Sequence, residues 1–261
     1  MRSTFFLHLP APLIAFLVFV GILLFNWLGY RFKHYQLRKH PNAEIDNLGP
    51  IEGSLLGLMA LLLAFSFSNS ASKFEGHREI IIEEANDLAT AIDRCDLYPD
   101  SVRNLLRANF KDYLEARIEY YDAKADEEKV AIALEKANAS SQKIWDLVVE
   151  QSNQPNALIR SNQMIPAVNR LVDVATTREG ARIATVPAVI IIMLMILIQT
   201  SAFLVGYSQK SKKRNLVMNY GFAVMISLAF YLVLELDRPR RGIINLDSIE
   251  QKIVDLRTEF K

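Results

Sequence analysis

The sequence predicts an all-α membrane protein: four transmembrane helices, with a helical-bundle insert between the second and third. Two observations carry that prediction. Residues 9–30, 53–72, 183–209 and 215–234 hold no charged residue and no histidine, and run for 22, 20, 27 and 20 residues. A hydrocarbon core roughly 30 Å thick needs about 20 helical residues. Between the second and third windows, residues 73–182 carry 20 acidic and 15 basic side chains but only two glycines, Gly76 and Gly180. Such a composition favours long, solvated helices. The chain divides accordingly into a first transmembrane pair (1–72), a soluble insert (73–182), a second transmembrane pair (183–237) and a C-terminal amphipathic helix (238–261).

The net charge of +1 hides a segregation, because the insert sums to −5 and the remainder to +6, with the bases beside the apolar windows. That is the charge pattern of a bilayer protein. A nucleic-acid interface needs clustered bases interleaved with exposed aromatic or amide groups, and the sequence has no such stripe, so no nucleic-acid partner is expected. The one cysteine, Cys95, cannot form an internal disulfide and is expected to be a small buried hydrophobe.

The first span runs from about Pro12 to Tyr30. Arg2 followed by the apolar run Leu13–Phe25 imitates a signal peptide, but no small-x-small cleavage site follows. Trp27 and Tyr30 beside Arg31 have the composition of an interfacial anchor, so an uncleaved span is expected. Asn26, near the interface, is expected to be solvated.

The second span has a strictly apolar centre of only Leu55–Phe67. Gly53, Gly57, Ala60, Ala64 and Ser68 are spaced by four, three, four and four residues, so they share one helical face. Small residues let helix backbones approach closely in lipid. The face therefore serves either helix packing or a pore, with Leu61 and Phe65 beside it as a possible constriction. The third span lies within Val186–Tyr207, where Pro187 suits a first turn and Gln199, Thr200 and Ser201 suit hydrogen bonding to a neighbouring helix. The fourth runs from about Leu216 to Leu236 and ends in Glu235-Leu236-Asp237-Arg238-Pro239-Arg240-Arg241-Gly242.

Orientation follows from bases in short loops. Arg31, Lys33, Arg38 and Lys39 share a side with Lys210, Lys212, Lys213 and Arg214, whereas Arg2, Arg238, Arg240 and Arg241 lie opposite. Eight against four places the insert and both termini outside. Adding the insert flanks Lys73, Arg78, Arg178 and Arg182 to the second group makes the count equal.

In the insert, the second span is expected to continue as one helix to about Arg94, with Ile80, Ile81, Glu84, Leu88, Ala91 and Ile92 as its stripe and Pro99 as its end. Helices follow over about Ser101–Lys124, including Phe110, Tyr113, Arg117 and Tyr121 on the stripe, and over about Asp126–Ser152. A fourth, starting near Asn156, is expected to run into the third span, bent or restarted at Pro166. The result is an antiparallel bundle built on spans two and three. Near the C-terminus, Ser248-Ile249-Glu250-Gln251 fits a capping box, and the helix after it is placed on the insert or on the membrane surface.

No nucleophile motif, phosphate loop or dinucleotide fingerprint occurs, so no enzymatic activity and no cofactor are expected. The histidines His8, His34, His40 and His77 stand apart, and Glu83, Glu84 and Asp87 read as a solvated face, so no metal site is expected. The notable polar group is a boundary cluster of Asp237 and Arg238 with Lys73, Glu75 or Arg78. It forms either a structural clasp between span four and the insert or the charged mouth of a conduction path.

Three stretches resemble the bestrophin-like membrane domain family of bacteria and plants. They are Gly53-Ser54-Leu55-Leu56-Gly57-Leu58-Met59-Ala60-Leu61-Leu62-Leu63-Ala64-Phe65-Ser66-Phe67-Ser68, then Phe74-Glu75-Gly76-His77-Arg78-Glu79 with Glu83-Glu84-Ala85-Asn86, and Leu236-Asp237-Arg238-Pro239-Arg240-Arg241-Gly242. The resemblance implies kinship with bestrophins, which are oligomeric anion channels with a cytosolic helical part. It implies a homo-oligomer in the plasma (inner) membrane of a bacterium, with the lipid bilayer and ions as partners. A non-conducting scaffold or sensor, whose insert binds a partner or signal, is the alternative. A transporter ranks third, since the four spans show no internal repeat.

Overall fold

The computed structural model describes residues 9–39, 49–209, 216–240 and 242–260. His8, His40 and the loop bases Arg2, Lys210, Lys212, Lys213, Arg214 and Arg241 lie outside them. All regular structure among the described residues is helical: α1 (Ala11–Lys39), α2 (Gly49–Asp93), α3 (Asp100–Asp122), α4 (Glu127–Ser152), α5 (Leu158–Ile183), α6 (Ala188–Ser208), α7 (Leu216–Leu236) and α8 (Asp247–Asp255), with short 3₁₀ turns at Arg94–Leu97 and Leu256–Phe260. Four stretches, within Ala11–Lys39, Gly49–Leu97, Leu158–Ser208 and Leu216–Leu236, are long and apolar enough to cross a membrane. The chain is an all-α, multi-pass integral membrane protein.

The helix α2 is continuous for 45 residues, about 68 Å at about 1.5 Å per residue and more than twice a hydrocarbon core. Pro50 occupies its first turn, where a missing N–H costs nothing, and no proline follows until Pro99, just beyond the 3₁₀ turn. The third span departs from the expected continuity. Residues 184–187 are non-helical and separate α5 from α6. Val186 precedes a proline, which disfavours helical backbone, and its N–H is taken by the Asp237 carboxylate at 3.0 Å. Pro166, in contrast, is accommodated inside α5.

The chain forms two compact units, Met1–Phe74 with Thr185–Ile244, and Glu75–Ala184 with Asn245–Lys261. In the first, Ile14, Val18 and Ile22 of α1 bury against Ile191, Leu194 and Ile198 of α6 and Ala223, Phe230 and Val233 of α7. The backbones of α1 and α6 nearly touch. A Cβ added to Gly29 would run into the Phe203 carbonyl, and one added to Gly206 into the Asn26 carbonyl. Asn26 is not solvated: it is 2% exposed, and its Nδ2 donates to the Ala202 carbonyl at 3.4 Å. Gln199 lies against Gly21.

The second unit is the bundle of the α2 C-terminal half, α3, α4, α5 and α8. Its interior holds Leu88, Ile92, Leu106, Phe110, Leu114, Ile144, Met164 and Leu171, all nearly inaccessible. Asp126 caps α4, its side chain accepting from the Lys129 N–H at 3.2 Å. Cys95 is fully buried, and that burial pushes its thiol up to about 12.

Candidate functional site

The membrane portion of α2 has three sides. Met59, Ser66 and Ser70 are buried, and Met59 joins the core of the membrane unit while Leu56, Leu62 and Leu63 pack against it. Gly53, Gly57, Ala60, Ala64 and Ser68 are all exposed, and a Cβ added at Gly53 or Gly57 would meet nothing within 4 Å. Alongside this small-residue stripe, at about 100° per residue, runs a second exposed stripe of Ser54, Leu58, Leu61 and Phe65. Leu61 is 52% and Phe65 64% exposed. Within the chain, α2 therefore turns outward the two faces that its sequence makes distinctive. The shallow recess at its N-terminal end, of about 350 Å³, is lined by Pro50, Ile51, Ser54, Leu55 and Leu58.

The end of α7 is organised by two buried carboxylates. Asp237 accepts from the Val186 N–H at 3.0 Å and from Lys73 Nζ at 3.2 Å, fixing the approach to α6 and the end of the α2 membrane segment against α7. Glu235, 1% exposed, accepts from the N–H groups of Ile243 and Ile244. Gly242 leaves the space that this carboxylate fills, since a Cβ there would overlap it. Arg238 donates to the Leu9 carbonyl at 3.1 Å. Glu75 and Arg78 bond to each other one turn apart, at 3.3 Å on an exposed surface. The sequence presents Glu235 only as the charge that closes the fourth span. Its place in the last turn of an apolar helix, ahead of a proline and a glycine, is the signal for a buried turn-organising acid.

A second charged constellation lies in the bundle, beyond the 53–72 window. Glu84 on α2 accepts from Arg117 on α3 and from Arg178 on α5, and Arg178 also donates to Glu250 on α8. Glu84 is 0% exposed, so it is not part of a solvated acidic face. Tyr120 lies beneath both guanidiniums, 4.5 Å from Arg117 and 5.3 Å from Arg178, and its hydroxyl donates to Glu179 at 2.8 Å. Burial alone would push the Glu84 carboxyl up, but the guanidiniums of Arg117 and Arg178 more than reverse this and hold it at about 2. Glu84 and Arg117 both fall on the otherwise apolar stripes of their helices, which is the sequence signal for a buried ion pair.

Among the described residues, no group of three or more histidine, cysteine, aspartate or glutamate side chains is arranged to hold a metal ion.

A family model described as a bestrophin-like domain matches residues 15–248. Among solved structures, a bacterial bestrophin homolog from Klebsiella pneumoniae is similar to this chain at 19% identity and a TM-score of 0.67, over 92% of this chain and 98% of that one. A tryptophan-to-alanine variant of the Klebsiella pneumoniae homolog matches at 16% identity and 0.67, over 92% and 97%. An isoleucine-to-threonine variant matches at 16% and 0.68, over 91% and 99%. At these identities the likeness is one of fold. No curated protein matches the sequence.

Proposed function

We propose that this chain, which belongs to the bestrophin-like family, forms a homo-oligomeric ion channel in which each subunit contributes α2 to the conduction path. The observation that carries the reading is the unpartnered outer half of α2. Only 11% of its most apolar window is buried within the chain, against 22–28% for the other three spans, so α2 is the membrane helix with most surface left to engage a second copy or an aqueous lumen. Four helices in one subunit rarely enclose a pore, whereas a ring of copies presenting α2 inward does. The small stripe then admits close approach of a neighbouring subunit or leaves room for ions, and Leu61 and Phe65 form a constriction of the kind that gates by dewetting. Anions are the permeant class that the family kinship favours, and a bacterial inner membrane is the setting. In the same reading, Lys73, Asp237 and Glu235 are structural, a clasp holding the end of α7.

Purified protein in planar bilayers tests the proposal. We expect reproducible unitary currents, a reversal potential that follows the chloride gradient, and raised conductance with Phe65→Ala. Silence from intact oligomers would overturn the channel reading and leave the non-conducting scaffold or sensor in its place.

A further inference from the structure

The last four turns of α1 carry a stripe that the proposed conduction path does not use. The first acidic residue of the chain is Glu44, so nothing in residues 1–43 offsets the bases of α1 in sequence. Trp27, Arg31, Tyr35, Arg38 and Lys39 are all exposed. The Arg31 guanidinium lies 5.1 Å from the centre of the Trp27 ring, and the Lys39 ammonium 5.9 Å from that of Tyr35. None of Arg31, Arg38 and Lys39 makes an ion pair among the described residues. Lys33 is the contrast: it is buried and donates to the Gln209 carbonyl at 2.7 Å beyond α6. One base of this helix end serves the fold, and three are left facing outward.

Depth gives these three a common partner. The uncharged window ends at Tyr30, so Arg31 falls at the edge of the hydrocarbon, where lipid phosphates begin. Lys39 lies about 12 Å further along the helix, at about 1.5 Å per residue, and the stripe thus crosses a headgroup layer about 5–8 Å thick on each side.

We propose that Trp27, Arg31, Tyr35, Arg38 and Lys39 form a binding site for the headgroup of an anionic phospholipid. Arg31, a planar fork of donors, takes the phosphate, and the Trp27 ring packs along the glycerol and upper acyl chain at the depth where amphipathic aromatics settle. Arg38 and Lys39, about two turns further out, favour a lipid with no compensating ammonium group over a zwitterionic one, as bases beside a membrane do for anionic lipids generally.

The chain has two tryptophans, Trp27 and Trp145, so a Trp145→Phe protein reports from the site alone. It is reconstituted in phosphatidylcholine vesicles containing the same fraction of brominated phosphatidylglycerol or brominated phosphatidylcholine. We expect the anionic quencher to be at least about threefold more effective, given roughly 1 kcal/mol per base near a charged surface. The triple variant Arg31→Gln, Arg38→Gln, Lys39→Gln should bring the ratio to one, and Arg31→Lys with Arg38→Lys should keep most of it. A ratio of one in the parent protein, or a preference that survives in the triple variant, would overturn the assignment. Loss of the preference in 10 mM inorganic phosphate would also overturn it, since the site would then be one for free phosphate. Should the triple variant not fold, the ratio in 1 M salt decides: a fall toward one supports the site, and no change refutes it.

Discussion

Where α1 meets α6, the backbones come together through Gly29 and Gly206. Where α2, α3, α5 and α8 meet in the bundle, the contact is made by Glu84, Arg117, Arg178 and Glu250. The difference follows from the solvent each region is built for. In hydrocarbon, apolar side chains gain little by leaving lipid for one another, so cohesion comes from close packing of surfaces that small residues allow to touch. In water, burial of Leu88, Phe110, Ile144 and Met164 supplies the driving force, and four paired charges can be carried inside because each is bonded to an opposite one. Such pairs add little net stability over an apolar alternative but are costly to break.

The largest effect should come from breaking the ionic group. Glu84→Ala leaves Arg117 and Arg178 without their shared carboxylate, which should cost about 3–5 kcal/mol, read as a fall in the thermal midpoint of the detergent-solubilised protein. A pH series sharpens this. The Glu84 carboxyl is held at about 2, below its ordinary value of 4.5. A lowered carboxylate contributes stability that is whole above the ordinary value and is lost as pH falls through the folded one. The gap in midpoint between the native protein and Glu84→Gln should therefore be constant above about pH 4.5 and shrink toward pH 2. A gap that does not change across that window would mean that Glu84 is not ionised in the fold.

Next in size is the membrane contact. Gly206→Ala puts a methyl group where the Asn26 carbonyl already lies, so α1 and α6 must separate. Overpacking of this kind costs about 1–3 kcal/mol, and the lost midpoint should be insensitive to pH between 4 and 8, unlike that of Glu84. A midpoint unchanged by the substitution would show that the two helices are not in backbone contact in the bilayer.

How far these features are legible in the sequence depends on how local they are. The continuity of α2 is legible because residues 58–93 contain no proline and one glycine. The places of Glu84 and Arg117 on their helical stripes are legible for the same reason, but their pairing joins positions 33 residues apart and that of Glu84 with Arg178 spans 94. Helical periodicity carries no information on which stripes meet. The expected solvation of Asn26 fails similarly, because α1 and α6 are brought together only by the fold. The break at residues 184–187 was half written in Pro187. Its other half is Asp237, 51 residues on, whose carboxylate holds the Val186 N–H. The small face of α2 is the converse case: its composition is plain in the sequence, yet the same rule that predicts a contact does not say whether the partner lies in the same chain.

That ambiguity defines the smallest stability effect and the one most informative about function. At Gly206 a small residue is small because another backbone is there, whereas at Gly57 no atom lies within 4 Å of an added Cβ. Gly57→Leu should therefore change the stability of the isolated subunit by no more than about 0.5 kcal/mol, as surface substitutions do. It adds apolar bulk in the middle of a face that the proposed oligomer uses, so the sedimenting species in mild detergent should become smaller, or the single-channel conductance should fall if the oligomer persists. Gly206→Ala should do the reverse, weakening the subunit itself. If Gly57→Leu leaves both assembly and conductance intact, the exposed stripe faces lipid and the α2 pore loses its support. If it destabilises the subunit as Gly206→Ala does, the two small faces serve the same purpose, and the distinction between an occupied contact and an open one fails.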